Sequence, residues 1–205
     1  PGMNTLHGRV PPTCIGIKLG KPNVSVFGFS GDGDAYAEGL DHTIQAARYN
    51  ADFKYIIHNN QVFALTQGEP TPVTELGFKD MTVPLGVNLR PLNPISLMLA
   101  AGATFVARVY AEASQIKNIL EEASKHKGFA FIEVIQPCII FHNDSGYKER
   151  FYNLQKTGHN TADFEAAKKK AEEYDYNSKT AKIPLGIFYK TQRETFEELK
   201  LKRKN

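Results

Sequence analysis

Val24-Ser25-Val26-Phe27-Gly28-Phe29-Ser30-Gly31-Asp32-Gly33 decides the fold. A short apolar run stops at a turn made permissive by two glycines, the pattern of a buried strand delivering its C-terminal end to a loop. Downstream, Ala37 to Tyr49 carries Leu40, Ile44 and Ala47 at helical spacing. Phe53 to Ile57 is a second apolar run, and His58-Asn59-Asn60 closes it. The 25 residues 34–58 between the two motifs leave room for one helix and one strand. Gly31-Asp32-Gly33 and Asn59-Asn60 are therefore expected at the C-terminal ends of neighbouring parallel strands, the edge where open α/β sheets bind ligands.

The same rhythm continues. Residues 68–94 are rich in Pro, Gly and Thr and read as a long functional loop. Pro94 to Ala101 reads as a helix, Thr104 to Val109 as a strand, Ser114 to about His126 as a helix and Phe129 to Ile135 as a strand stopped by Pro137. The expected fold class is α/β, a mainly parallel sheet with helices on both faces. Past Ile139 charges are dense, Phe164 to Tyr174 is amphipathic, and 183–189 is an isolated apolar segment. The chain divides into a main domain, 1–138, and a C-terminal helical extension, 139–205, packed on it.

Bulk composition narrows the classes. The 205 residues suit one α/β domain with a core, at 41% apolar and 23% charged content. Much of the net charge of +3 sits in Lys200 to Lys204, read as a solvated end; no aromatic–basic motif accompanies it, so nucleic acid is not an expected partner. No apolar run has the length of a membrane span. Two cysteines, Cys14 and Cys138, make no disulfide framework, and the expected compartment is the reducing cytoplasm.

The pair of motifs suits a metal–diphosphate. Gly31 and Gly33 let backbone N–H groups approach phosphate oxygens, and a helix starting near Ala35 would aim its positive end there. Asp32 offers a carboxylate oxygen, Asn60 an amide oxygen and the residues beyond Asn60 a backbone carbonyl, the hard oxygen set that magnesium takes. Gly-Asp-Gly alone is a common turn and Asn-Asn a common loop; their spacing after two apolar strands carries the reading. A nicotinamide-type site competes. Gly28, Gly31 and Gly33 are not in G-x-G-x-x-G order, and Asp52 precedes its strand where a ribose ligand should follow it. Gly16 to Pro22 hints at a phosphate loop but has Pro22 where a hydroxyl is needed.

Gly-Asp-Gly followed by Asn-Asn at this distance resembles the signature of thiamine-diphosphate enzymes. The longer set is more specific: Leu6-His7-Gly8-Arg9, Gly16-Ile17-Lys18-Leu19, Gly31-Asp32-Gly33-Asp34, His58-Asn59-Asn60-Gln61-Val62, Thr66, Gly68, Pro72, residues 102–108, residues 126–129, Gln136-Pro137-Cys138 and residues 182–189. It resembles the β subunit of 2-oxoacid:ferredoxin oxidoreductases, in the archaeal-type and 2-oxoglutarate-type branch, over nearly the whole chain. The resemblance implies the thiamine-diphosphate-binding fold. It implies that Asp32, Asn60 and the Val62 carbonyl hold Mg2+, that Gly31, Gly33 and Asp34 cradle the diphosphate, and that Leu65 and Thr66 line the cofactor. Cys138 matches a ligand of a 4Fe–4S cluster whose three other cysteines belong to a segment preceding Pro1, whereas Cys14 is a packing residue. The implied reaction is oxidative decarboxylation of a 2-oxo acid, with coenzyme A accepting the acyl group and ferredoxin the electrons. The implied partner, an α (or α/γ) subunit, supplies the glutamate facing the aminopyrimidine, so the chain is inactive alone. A non-catalytic or truncated thiamine-diphosphate-binding protein is the alternative. Gln67 and Glu69 stand where many relatives carry lysine and glutamine, which points to a monocarboxylic substrate such as pyruvate or a branched-chain relative.

Overall fold

The computed structural model describes residues 2–142, 147–174, 177, 178 and 180–202; Arg203 and Lys204 of the basic tail lie outside them. Six strands form the main sheet in the order β1-β2-β6-β5-β8-β7. These are β1 (Phe27–Gly31), β2 (Lys54–Asn59), β5 (Phe105–Tyr110), β6 (Ala130–Ile135), β7 (Phe151–Asn153) and β8 (Ile183–Lys190), while β3 (Val62–Phe63) and β4 (Glu69–Pro70) make a separate small ladder. β1, β2, β6 and β5 are mutually parallel. β8 pairs antiparallel to β5, and β7 runs parallel to β8. The apolar segment near 183–189 is therefore a sheet strand, and the C-terminal part adds β7 and β8 to the sheet as well as helices.

Buried strands with side chains alternating between two helix-covered faces explain the apolar runs. Tyr55, Ile57, Val106 and Phe131 belong to one core. Ile56, Phe105, Ala107, Ile132 and Val134 belong to the other. Contacts to α1 (Val10–Gly20), α2 (Leu40–Tyr49), α3 (Pro94–Ala100) and α6 (Phe164–Glu172) build the first, whereas Ile119 and Ala123 of α4 (Ala113–Lys125) fill the second. Two shorter helices, α5 (Tyr147–Arg150) and α7 (Phe196–Lys202), flank the C-terminal part. None of the described helices is long and apolar enough to cross a membrane.

The phosphate-loop hint is not borne out, and one expectation needs correction. The stretch suggestive of a phosphate loop, Gly16 to Pro22, lies largely in α1, opened by Pro11 and Pro12 in its first turn. The helix expected from Ala37 begins instead as a π turn over Asp34–Glu38, with the Gly39 N–H bonded to the Asp34 carbonyl five residues back at 2.9 Å. α2 starts only after Gly39. The N-terminal segment packs closely against that turn: a Cβ on Gly8 would lie 2.5 Å from the Glu38 carbonyl oxygen.

Candidate functional site

β1 and β2 end side by side, with Gly31 opposite His58. Asp32 and Asn60 each stand one residue past a strand end, and the Asn60 N–H donates to Asp32 Oδ1 at 3.3 Å. The Thr71 hydroxyl donates to Asp32 Oδ2 at 2.6 Å. Asp32 is 1% exposed. Burial pushes its pKa up to about 6 against the pull of the Thr71 and Asn60 hydrogen bonds, and the Glu133 charge adds to the rise. A carboxyl whose surroundings disfavour its charge is one that a cation stabilises.

The asparagines wind their own loop. Asn59 Oδ1 accepts the Gln61 N–H and Asn60 Oδ1 accepts the Val62 N–H, each at 3.1 Å. Gln61 sits between them in the left-handed region, at φ 63°. An amide oxygen has two lone pairs, so Asn60 Oδ1 keeps one for a metal.

The glycines differ. A Cβ on Gly31 would meet nothing within 4 Å, the open approach a diphosphate needs. On Gly33 it would lie 2.1 Å from Phe63 Cε1, so this glycine is required by packing against the ring. Asp34 is committed within the protein. Its Oδ1 accepts the Gly8 N–H at 2.6 Å, and its Oδ2 accepts the Ser30 hydroxyl, which in turn accepts the Tyr55 phenol at 2.9 Å. These bonds tie the Leu6–Arg9 segment to the site, and His7 adds a 2.7 Å contact to Glu38.

Leu65 is 96% exposed, and the Thr66 hydroxyl donates to the Glu69 carboxylate at 2.7 Å. Gln67 and Gly68 follow at φ 92° and 97°, and Phe141 covers Gly68 so closely that a Cβ there would lie 2.7 Å from its ring. Ile139 and Ile140 stay exposed beside it. Cys138 is half-buried and exchanges two 3.0 Å backbone hydrogen bonds with His142.

Sequence reasoning passed over several residues here. Thr71, which grips Asp32, stands between two prolines in a loop recognisable only by composition. Glu133 and Arg108 form a fully buried ion pair at 2.6 Å, and Asn59 Nδ2 donates to Glu133 at 2.8 Å. Both charged residues sit inside apolar strands, which is the signal that could have found them. The buried Tyr36 hydroxyl lacks a hydrogen-bond partner among the described residues; burial first, then the charges of Glu133 and Asp32, raise its pKa.

A cavity of about 250 Å³ opens at the opposite end of the strands, lined by Lys18, Asp52, Lys54 and His126 among others. It is a braced structural corner. Lys18 Nζ donates to Pro22 O, Val24 O and Asp52 at 2.6, 3.0 and 2.8 Å. Lys54 Nζ donates to Asp52, His126 O and Gly128 O at 3.1, 2.8 and 3.2 Å. Each ammonium thus uses its three protons. Asp52 lies in this corner, far along the sheet from Asp32, which removes the ribose-ligand reading.

The fold and the paired strand-end motifs define a class, and sequence comparison agrees with it. Residues 1–134 match the family model described as thiamine pyrophosphate enzyme, C-terminal TPP binding domain, and the chain belongs to that family. Residues 142–204 match the model for the C-terminal part of the pyruvate ferredoxin oxidoreductase beta chain. Within the family the chain is similar to the 2-oxoacid:ferredoxin oxidoreductase subunit beta of Saccharolobus solfataricus, 38% identical over 93% of this chain and 66% of that protein. It is 41% identical to the 2-oxoglutarate synthase subunit KorB of Archaeoglobus fulgidus over 66% of this chain and 51% of that one. Among solved structures, 2-oxoglutarate:ferredoxin oxidoreductase from Magnetococcus marinus, with 2-oxoglutarate, coenzyme A and succinyl-CoA bound, superposes with a TM-score of 0.90 at 29% identity, covering 98% of this chain and 68% of that one. The chain spans about two thirds or less of the length of these curated relatives.

Proposed function

We propose that the chain is the cofactor-binding β subunit of a 2-oxoacid:ferredoxin oxidoreductase, and that it holds thiamine diphosphate through Mg2+. The observation that carries this reading is the buried Asp32 carboxyl hydrogen-bonded to Asn60 across the ends of two neighbouring parallel strands. Asp32, Asn60 and the Val62 carbonyl would be the protein ligands of the metal. The open face of Gly31 receives the diphosphate, Gly33 and Asp34 shape the turn behind it, and Leu65 and Thr66 flank the cofactor. Bound thiamine diphosphate supplies an electron sink for decarboxylating a 2-oxo acid. The chain's residues contribute position and charge: Thr71 and the Asn60 N–H orient Asp32, and Glu133 holds Asn59.

Cys138 is assigned as one ligand of a 4Fe–4S cluster. Cys14, the other cysteine, is buried, and burial pushes its thiol up to about 11, so it is a core residue. The remaining cluster ligands belong to residues outside this sequence. Exposed Leu65, Ile139 and Ile140 beside the site support closure by an α (or α/γ) subunit, to which we assign the pyrimidine-side glutamate. Coenzyme A and ferredoxin complete the reaction, in the reducing cytoplasm that two free cysteines suit.

Reconstitution of the full-length chain with its partner and cluster tests the reading. Viologen reduction is expected to require a 2-oxo acid, coenzyme A, thiamine diphosphate and Mg2+. Turnover in the absence of thiamine diphosphate would refute it.

A further inference from the structure

We propose that His142 is a positioning residue for the cofactor site, the joint through which the Cys138 hairpin holds the metal-binding loop in shape; the proposal rests on the cofactor reading above. Cys138 and His142 close a five-residue hairpin through reciprocal N–H···O=C bonds of 3.0 Å. The His142 side chain turns inward from it, 7% exposed, and its Nε2 lies 2.9 and 3.1 Å from the two Glu75 oxygens. A carboxylate only accepts, so Nε2 carries the proton. The Phe78 ring packs against the imidazole, centroids 5.3 Å apart.

Glu75 passes the hold to the loop. Its Oε2 also accepts the Gln61 side-chain N–H at 3.2 Å. Gln61 is buried and left-handed, a conformation that a residue with a Cβ keeps only where its surroundings enforce it. Its amide also donates to Val73 O at 3.0 Å, its N–H donates to Asn59 Oδ1, and its carbonyl accepts the Thr74 hydroxyl. Gln61 separates Asn60 from Val62, the two groups assigned to the metal. A change in its backbone angles therefore moves the Asn60 amide oxygen and the Val62 carbonyl relative to each other. Magnesium demands near-octahedral geometry at short distances, so its affinity responds to small displacements of this kind. The same hairpin sets Phe141 over Gly68 at the far end of the loop. Without the imidazole, Glu75 loses the hydrogen bonds that fix its carboxylate toward Gln61 Nε2, and the brace on Gln61 weakens.

The full-length chain, assembled with its partner subunit and stripped of cofactor, is titrated with thiamine diphosphate at saturating Mg2+. Binding is followed by calorimetry and activation by viologen reduction. His142→Ala is expected to raise both the dissociation constant and the activation constant about tenfold, as loss of groups supporting metal ligands does. Turnover at saturating cofactor should stay within about twofold of wild type, because His142 touches no reacting atom. His142→Gln, whose amide N–H reaches Glu75, should recover most of the loss. An unchanged activation constant in His142→Ala, or an increase that His142→Gln leaves in full, would overturn the proposal. If His142→Ala does not assemble, Glu75→Ala, which removes both acceptor oxygens, decides by the same titration: weakened cofactor binding supports the link, and wild-type binding refutes it. A wild-type complex that binds no thiamine diphosphate refutes the cofactor reading itself, and this proposal with it.

Discussion

At the scale of single residues, Asp32, proposed above as a metal ligand, carries a stability cost. Its folded pKa of about 6 stands above the ordinary aspartate value of 3.8. The folded protein thus binds a proton more tightly than the unfolded chain. The stability this contributes is present below about pH 4 and lost as the pH rises through about 6. At pH 7 without metal the buried charge costs on the order of 3 kcal/mol. Asp32→Asn should therefore raise the melting temperature of the cofactor-free protein by roughly 5–10 °C while weakening Mg2+-dependent thiamine diphosphate binding several-fold; differential scanning calorimetry and titration check the two halves. Gln67 and Glu69 give a second expectation. With a neutral amide and a carboxylate in the loop beside the site, a second substrate carboxylate gains no charge-assisted partner and meets repulsion. Pyruvate should turn over faster than 2-oxoglutarate in the viologen assay, and the reverse preference would contradict this assignment. The meeting of Asp32 and Asn60 at neighbouring strand ends was legible in the sequence because each follows an apolar strand. Thr71 was not, because a threonine in a proline-rich loop gains meaning only when the loop folds back over the carboxylate.

At the scale of elements, the turn after β1 depends on close packing. Gly33, expected to admit phosphate, is also demanded by Phe63, whose ring leaves no room for a Cβ. Gly33→Ala should destabilise the protein by about 2 kcal/mol or more through overpacking, seen as a lower denaturation midpoint, whereas Gly31→Ala should leave stability nearly unchanged and weaken cofactor binding. β1, β2, β5 and β6 and helices α2, α3, α4 and α6 were readable from apolar spacing to within a few residues. The π turn at Asp34–Glu38 was not; the segment around Gly8 docks against it, a contact between residues about 30 positions apart that local spacing does not encode. β8 carried the apolar pattern of a strand, but its antiparallel place beside β5 is a matter of topology that no local pattern encodes.

At the scale of the whole molecule, the two ends of the sheet divide the work. The C-terminal strand ends carry the cofactor motifs, and the opposite end is braced by Lys18, Asp52 and Lys54. Burial, then the Lys54 and Lys190 charges, lower the pKa of His126 in that corner to about 4. A histidine held neutral contributes stability that is lost as the pH falls from about 6.5 toward 4, opposite in sign to Asp32 in the cofactor-free protein. His126→Gln should flatten the fall in melting temperature between pH 7 and pH 5, and Asp32→Asn should steepen it. The cofactor assignment turns on one binding event. Calorimetric titration of thiamine diphosphate into the full-length complex, with and without Mg2+, for wild type and Asp32→Ala, tests it most directly. The expected result is one site per chain that requires Mg2+ and weakens at least about tenfold in Asp32→Ala, the loss of a charged ligand being worth on the order of 1.4 kcal/mol or more. Binding of equal strength without Mg2+, or in Asp32→Ala, would contradict the site described here.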